Sequence, residues 1–180
     1  MINQMRKESF ERAKKVKLII MDVDGTLTDG GIYYDEKGNE FKKFCTKDAA
    51  GILLCEAIGI DIMILTGRKS AAVEHRARDL HVKYVVQGIA DKAEYLHSFM
   101  ISHGLEKDAV FYIGDDLNDM PAMRLCGSVG CPSDAAEEII VNADFIARHG
   151  GGHGAVRDVL FSWLKAYGLY ESAIKKVYEK

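Results

Sequence analysis

Ile19-Ile20-Met21-Asp22-Val23-Asp24-Gly25-Thr26-Leu27 ends an apolar run in two carboxylates one residue apart and then turns on a glycine. The apolar run has the length and composition of a buried strand. Side chains two apart on a strand share a face, so Asp22 and Asp24 leave it in the same direction until Gly25 rotates the second. Like charges that close repel, and a fold keeps them only where a cation or a proton sits between them. A second stretch answers the first: Phe111-Tyr112-Ile113-Gly114-Asp115-Asp116-Leu117-Asn118-Asp119 is again an apolar strand that runs into acids. Together the two stretches predict a Mg²⁺-dependent centre for phosphoryl transfer.

Working outward, the chain alternates strand and helix with only two prolines and no linker-like segment. Strands are predicted at Val16–Val23, Ile60–Leu65, Tyr84–Val86 and Val110–Ile113. Helices are predicted at Ala49–Ile58, stopped by Gly59, at about Ser70–Leu80, and at Lys92–His103, ended by Gly104. Between the first strand and first helix, Gly30–Phe44 reads as a β-hairpin. Ile32-Tyr33-Tyr34 runs out, Asp35 to Asn39 turns, and Glu40 to Phe44 returns. Continuous apolar strands between amphipathic helices predict an α/β fold: a Rossmann-like parallel sheet with helices on both faces. Ligands of such sheets bind at the carboxyl ends of the strands, where Asp22, Thr66 and Asp115 all fall.

Composition narrows the function. At 180 residues with a net charge of −3, the chain is expected to form one domain over 1–180, with the hairpin as an insert near 30–44. No basic excess points to nucleic acid, and no apolar run approaches a bilayer span. The basic segment Met5 to Lys17 lacks the apolar stretch of a signal peptide and is expected to be a short solvated helix. Cys45, Cys55, Cys126 and Cys131 lack metal-ligand spacing, and free thiols point to a reducing cytoplasm.

Residue chemistry assigns provisional roles. Asp22, at the strand end, is the expected nucleophile, since a carboxylate can attack phosphorus and carry an aspartyl-phosphate. Asp24 is the expected acid and base, protonating the leaving alkoxide and then taking a proton from water. Asp22, the backbone carbonyl of Asp24, and Asp115 are expected to hold Mg²⁺, with Asp116 or Asp119 supporting through water or by orientation. The Thr66 hydroxyl, the Gly67 amide and the Lys92 ammonium are expected to face the phosphoryl oxygens.

Asp22-Val-Asp24-Gly-Thr26, Leu65-Thr66-Gly67, Lys92 and Gly114-Asp115-Asp116-Leu-Asn118-Asp119 resemble, in order, the four motifs of the haloacid dehalogenase superfamily of phosphatases. The short gaps between them leave no room for a cap domain, and the hairpin stands in its place. Asp22 to Gly30, Thr66-Gly-Arg68-Lys69 and the Gly-rich His149 to Asp158 are similar to segments of the capless 3-deoxy-D-manno-octulosonate 8-phosphate phosphatases. That resemblance implies a homotetramer serving lipopolysaccharide precursor synthesis, with subunit contacts through the hairpin and the C-terminal region. It also implies a sugar acid phosphate substrate lined by Thr46, Lys47, Asp48, Gly67, Arg68, Arg76 and Lys92. Guanidinium groups suit a ligand with both a phosphate and a carboxylate. Cys45-Thr46-Lys47-Asp48-Ala49 departs from that family and resembles phosphatases of nine-carbon keto-deoxy acids, which are the alternative; Arg68 and the closing Gly-rich stretch favour hydrolysis of the eight-carbon sugar acid phosphate. A mutase, which must shelter its phospho-enzyme from water, and a non-catalytic regulatory domain are the remaining readings.

Overall fold

The computed structural model describes residues 15–179. The helix expected over Met5 to Lys17 therefore falls almost wholly outside the described residues. The chain runs through β1 (Leu18–Met21), a tight loop at Val23–Leu27, then β2 (Tyr33–Tyr34) and β3 (Glu40–Phe41). Next come α1 (Asp48–Ala57), β4 (Asp61–Thr66), α2 (Ala71–Asp79), β5 (Tyr84–Gln87), α3 (Lys92–His103) and β6 (Val110–Ile113). The last third supplies α4 (Met120–Met123), β7 (Ser128–Cys131), α5 (Glu137–Ile140), β8 (Phe145–Ile146), α6 (Ala155–Ala166) and α7 (Tyr170–Tyr178).

Six strands form one sheet in the order β5-β4-β1-β6-β7-β8, every neighbouring pair parallel. The chain builds outward from β1 to β5 and then returns to the other side of β1. The first strand is thus central, and the direction of winding reverses beside it, where open α/β sheets carry their sites. The register is specific: Met21 lies opposite Ile64 on β4 and Ile113 on β6, so the loops after β1, β4 and β6 open together.

Alternation along the strands divides the core into two layers. Ile19, Met21, Ile62, Ile64, Phe111 and Ile113 face one side, packed by Ile52 and Leu54 of α1, Val73 of α2 and Leu160 and Trp163 of α6. Leu18, Ile20, Met63, Leu65, Val110 and Tyr112 face the other, packed by Leu96 and Met100 of α3, Met123 of α4 and Ile139 of α5. Both faces are covered, which is why the strands read as unbroken apolar runs. The α/β expectation is met, and the boundaries of α3 and β6 are those predicted. For α3 the cause is local: Asp91 accepts from the Glu94 N–H at 2.9 Å at one end, and Gly104 adopts φ +60° at the other.

The hairpin is shorter than predicted. Only Tyr33 and Tyr34 pair with Phe41 and Glu40, and a lone bridge between Thr28 and Phe44 closes the base. The turn is where expected, since the Asp35 carboxylate accepts from the backbone N–H groups of Lys37 and Asn39 at 2.9 and 2.8 Å. Trp163 is fully buried in the core. All four cysteines are free thiols, and burial pushes Cys126 up to about 12 and Cys131 to about 11.

Candidate active site

The loop after β1 is shaped by Gly25 and two threonines. Gly25 has φ +90°, and a methyl group added there would stand 2.0 Å from Asp115 Oδ2, so both the turn and the close approach require glycine. Thr28 Oγ1 donates to the Val23 carbonyl at 3.2 Å and accepts from the Gly25 and Gly30 amides. Thr26 Oγ1 donates to Asp115 Oδ1 at 2.7 Å and so fastens this loop to the one after β6.

Asp22, Asp115 and Asp119 bring carboxylate oxygens within 4.8 Å of one another. Unit charges at that spacing repel by roughly 3–4 kcal/mol in surroundings of effective dielectric 20. One buried cation answers three acids: Lys92 Nζ lies 2.7 Å from Asp22 Oδ1 and 2.7 Å from Asp119 Oδ1. Burial, reinforced by Asp119 and only partly offset by Lys92, pushes Asp22 up to about 7. Burial likewise raises Asp115 to about 7, with the neighbouring acids adding to it against the Thr26 hydrogen bond. Burial works against the charge on Lys92, yet the two carboxylates outweigh it and hold the ammonium above its ordinary range. A site with excess buried negative charge and all-oxygen donors fits a hard divalent cation.

Asp119 is the organiser of this cluster. It is fully buried, and Gly114 makes room for it, since a methyl group there would stand 2.4 Å from Asp119 Oδ2. Its Oδ1 accepts from Lys92 and, at 2.8 Å, from the Tyr112 hydroxyl. Its Oδ2 accepts the Asp115 N–H at 3.1 Å and the Asp116 N–H at 3.5 Å. With both oxygens committed, Asp119 orients Lys92 and the Asp115 loop, while Asp22 and Asp115 offer the freer oxygens. Asp116 is exposed and accepts from the Leu117 N–H.

Asp24 lies outside the cluster. Its Oδ1 accepts from Lys42 Nζ, and its Oδ2 lies 3.8 Å from Arg68 Nε. Thr66 is buried at the end of β4. Its Oγ1 accepts from the Arg68 N–H at 3.4 Å, which leaves the hydroxyl proton free to be donated. Gly67 and Arg68 follow on the exposed loop.

The Gly-rich stretch lies directly on the loop after β1. A methyl group at Gly151 would stand 1.8 Å from the Gly25 carbonyl oxygen, and one at Gly152 would stand 2.4 Å from the Asp29 nitrogen. Gly152 donates to the Thr26 carbonyl at 3.3 Å, and Gly151 donates to Asp134 Oδ1 at 3.0 Å. These glycines brace the loop that carries Asp22.

No protein-family model matches the chain. The 3-deoxy-D-manno-octulosonate 8-phosphate phosphatase of Yersinia pestis is 37% identical over 164 residues, 91% of this chain and 88% of its own. The chain belongs to that phosphatase family. The crystal structure of the Moraxella catarrhalis member, in complex with a magnesium ion, a phosphate ion and a KDO molecule, superimposes with a TM-score of 0.86 at 38% identity. It covers 93% of this chain and 96% of that one. A subfamily III A hydrolase of the haloacid dehalogenase superfamily from Legionella pneumophila gives a TM-score of 0.87 at 35% identity over 99% of this chain and 98% of its own.

Of the residues expected to line the substrate, Arg68 lies 3.8 Å from Asp24, while Asp48 and Arg76 each make a contact within the fold. Asp48 is buried, and its Oδ1 accepts the Arg157 N–H at 2.9 Å, tying α1 to the start of α6. Burial pushes Asp48 up to about 6 against that hydrogen bond. Arg76 donates to the Cys45 carbonyl at 3.2 Å and pins the segment after the hairpin to α2. Thr46 and Lys47 are exposed just before α1, and Lys47 borders Gly154. The sequence reading passed over Lys42, Tyr112 and the bracing role of Gly151. For Tyr112 a signal existed: a hydroxyl in the apolar strand Val110–Ile113 needs a buried partner. For Lys42 there was none, since a lysine on a hairpin reads as solvated.

Proposed function

We propose that this protein is a Mg²⁺-dependent phosphatase that hydrolyses 3-deoxy-D-manno-octulosonate 8-phosphate to the free sugar acid and phosphate. The observation that carries the reading is the buried Asp22 beside Lys92 and Asp115, at the carboxyl end of the central strand. Family membership and the KDO and phosphate held by the Moraxella member support the substrate.

Asp22 attacks phosphorus and forms the aspartyl-phosphate, while Asp24 gives a proton to the leaving alkoxide oxygen. Water then attacks the phospho-enzyme; Asp24 takes its proton, and the Asp22 carboxylate is restored as phosphate leaves. Lys92 and the Thr66 hydroxyl supply positive charge and a hydrogen bond to the transferring oxygens, already in place before the reaction begins. Asp22, the Asp24 carbonyl and Asp115 would hold Mg²⁺, which would supply charge neutralisation to the phosphoryl group. Arg68, on its exposed loop, reaches the substrate carboxylate.

The enzyme acts in the cytoplasm, in lipopolysaccharide precursor synthesis, as a homotetramer. Tyr33, Tyr34 and Phe41 support the assembly, because all three are exposed on a hairpin too small to cover them. A monomeric mass in solution would overturn the tetramer.

Phosphate release is measured with Mg²⁺ from the eight-carbon and nine-carbon keto-deoxy acid phosphates and from glucose 6-phosphate. The expected result is a kcat/KM for the eight-carbon acid far above the other two. Preference for the nine-carbon acid would move the substrate to the alternative raised by Cys45 to Ala49. Release from none would overturn the phosphatase reading.

A further inference from the structure

Four charged side chains from three separate segments, Asp24 among them, close a ring. Lys42 Nζ donates to Asp24 Oδ1 and lies 3.3 Å from Glu40 Oε1. Glu40 Oε2 accepts from Arg68 Nη2 at 2.6 Å, and Arg68 Nε lies 3.8 Å from Asp24 Oδ2. The signs alternate, so the ring is neutral and each acid touches both bases.

The two bases differ in burial. The Lys42 side chain is 1% exposed, whereas that of Arg68 is 45% exposed. A buried ammonium that gave up its partners would be left uncompensated, at a cost that holds it where it is. Arg68 sits at the rim, where its ion pair with Glu40 is screened by solvent, so it can exchange that carboxylate for one on a ligand. One cation is thus fixed against Asp24 while the other is exchangeable.

We infer that Lys42 is a positioning residue for the acid and base Asp24, an inference that rests on the phosphatase reading above. An ammonium has donors only, so the Asp24 oxygen that meets it, Oδ1, must be an acceptor. The oxygen left to give up and receive a proton is Oδ2, on the side of Arg68 and the opening. When Arg68 turns to a substrate, Lys42 keeps the carboxylate in that orientation. In a stepwise account, the proton on Oδ2 passes to the ester oxygen as its bond to phosphorus breaks, and Oδ2 later takes a proton from the attacking water. The hairpin contributes a residue to the chemistry of its own subunit through Lys42.

The test compares two esters in Lys42→Met. The leaving alkoxide of 3-deoxy-D-manno-octulosonate 8-phosphate needs a proton, while the nitrophenolate of 4-nitrophenyl phosphate does not. Since kcat/KM reports the steps through phosphoryl transfer, the ratio of sugar to nitrophenyl kcat/KM is expected to fall about 10²-fold. In an Asp24→Asn background, Lys42→Met is expected to move that ratio no further, and Lys42→Arg in the otherwise wild-type protein is expected to keep most of it. A Lys42→Met variant that loses both activities in equal proportion would overturn the inference, because a purely structural lysine lowers both together. Should Lys42→Met fail to fold, Lys42→Gln is read by the same ratio. A wild-type protein active on neither ester would overturn the phosphatase reading and this inference with it. An active wild type with an unmoved ratio overturns the inference alone.

Discussion

Asp22 and Asp119 are neighbours in one buried cluster, yet substituting them is expected to do opposite things. Asp22→Asn keeps an oxygen for Lys92 but cannot attack phosphorus. Phosphate release is expected to fall on the order of 10⁴-fold or more, with Tm within a few degrees of wild type. Asp119 accepts four hydrogen bonds in full burial, and an Asn amide there would turn a donor toward donors. Breaking a buried, hydrogen-bonded charge pair costs about 3–5 kcal/mol. Asp119→Asn is therefore expected to lower Tm by about 6–20 °C in a calorimetric scan. A Tm loss in Asp22→Asn as large as that in Asp119→Asn would contradict this division of labour. The difference between the two residues was only half legible in the sequence. Asp22, Asp24 and Asp115 announce themselves by standing at strand ends. The weight of Asp119 depends on Gly114 leaving space and on Tyr112 pointing toward it from the strand, which spacing does not reveal. Lys42 was invisible for a related reason, since its meaning comes from Asp24 and Glu40, brought to it by the fold.

Elements with their own local signals were legible, and elements made by contact were not. Asp91 and Gly104 mark the ends of α3, so its boundaries were predicted to the residue. The short helices α4 and α5 span four residues each, too few for any helical period to show. The arms of the hairpin were overestimated because alternating aromatic and polar residues read as strand, whereas few of them find a backbone partner. The glycines of the Gly-rich stretch after β8 are dictated by tight packing, which spacing does not reveal, for Gly151 has no room for a side chain against the Gly25 carbonyl. Gly151→Ala must push the Asp22 loop aside, and a shift near 1 Å at reacting groups costs about 10²-fold in rate. A kcat loss of that order is expected in steady-state kinetics. Gly38→Ala, at the hairpin tip with open space around it and φ +79°, is expected to cost stability of about 1 kcal/mol and little activity. Equal kcat in Gly151→Ala and wild type would remove the bracing role.

Across the whole molecule, the sheet gathers more buried acid than base at the carboxyl ends of its central strands, and this makes stability depend on pH and metal together. Without metal, Asp22 and Asp115 are raised from the ordinary 3.8 to about 7 by burial, with Asp119 adding to both and Asp22 adding to Asp115. In the unfolded chain they ionise near 4. The folded state thus binds more protons between about 4 and 7, so stability is fully present below the lower value and is lost as pH rises through the higher one. Asp48, raised to about 6, acts in the same direction. Asp158, which the His149 hydrogen bond holds below the ordinary value despite burial, acts in the opposite direction but at lower pH. Metal-free protein is therefore expected to melt at a lower temperature at pH 8 than at pH 5.5. Mg²⁺ needs its carboxylates ionised, so it competes with protons for Asp22 and Asp115. At a concentration 100 times its Kd, it adds about 2.7 kcal/mol to the folded state. At pH 8 that is expected to raise Tm by about 5–11 °C, while at pH 5.5 the same Mg²⁺ should shift it far less. The Asp48 contribution is left untouched, since that carboxylate faces α6 and not the cluster, so Mg²⁺ is expected to recover only part of the loss at pH 8. Scanning calorimetry with chelator and with Mg²⁺ at both pH values checks all three points. A Tm that rises with pH in the chelated protein would show that the acids at the ends of the central strands are not the source of the dependence.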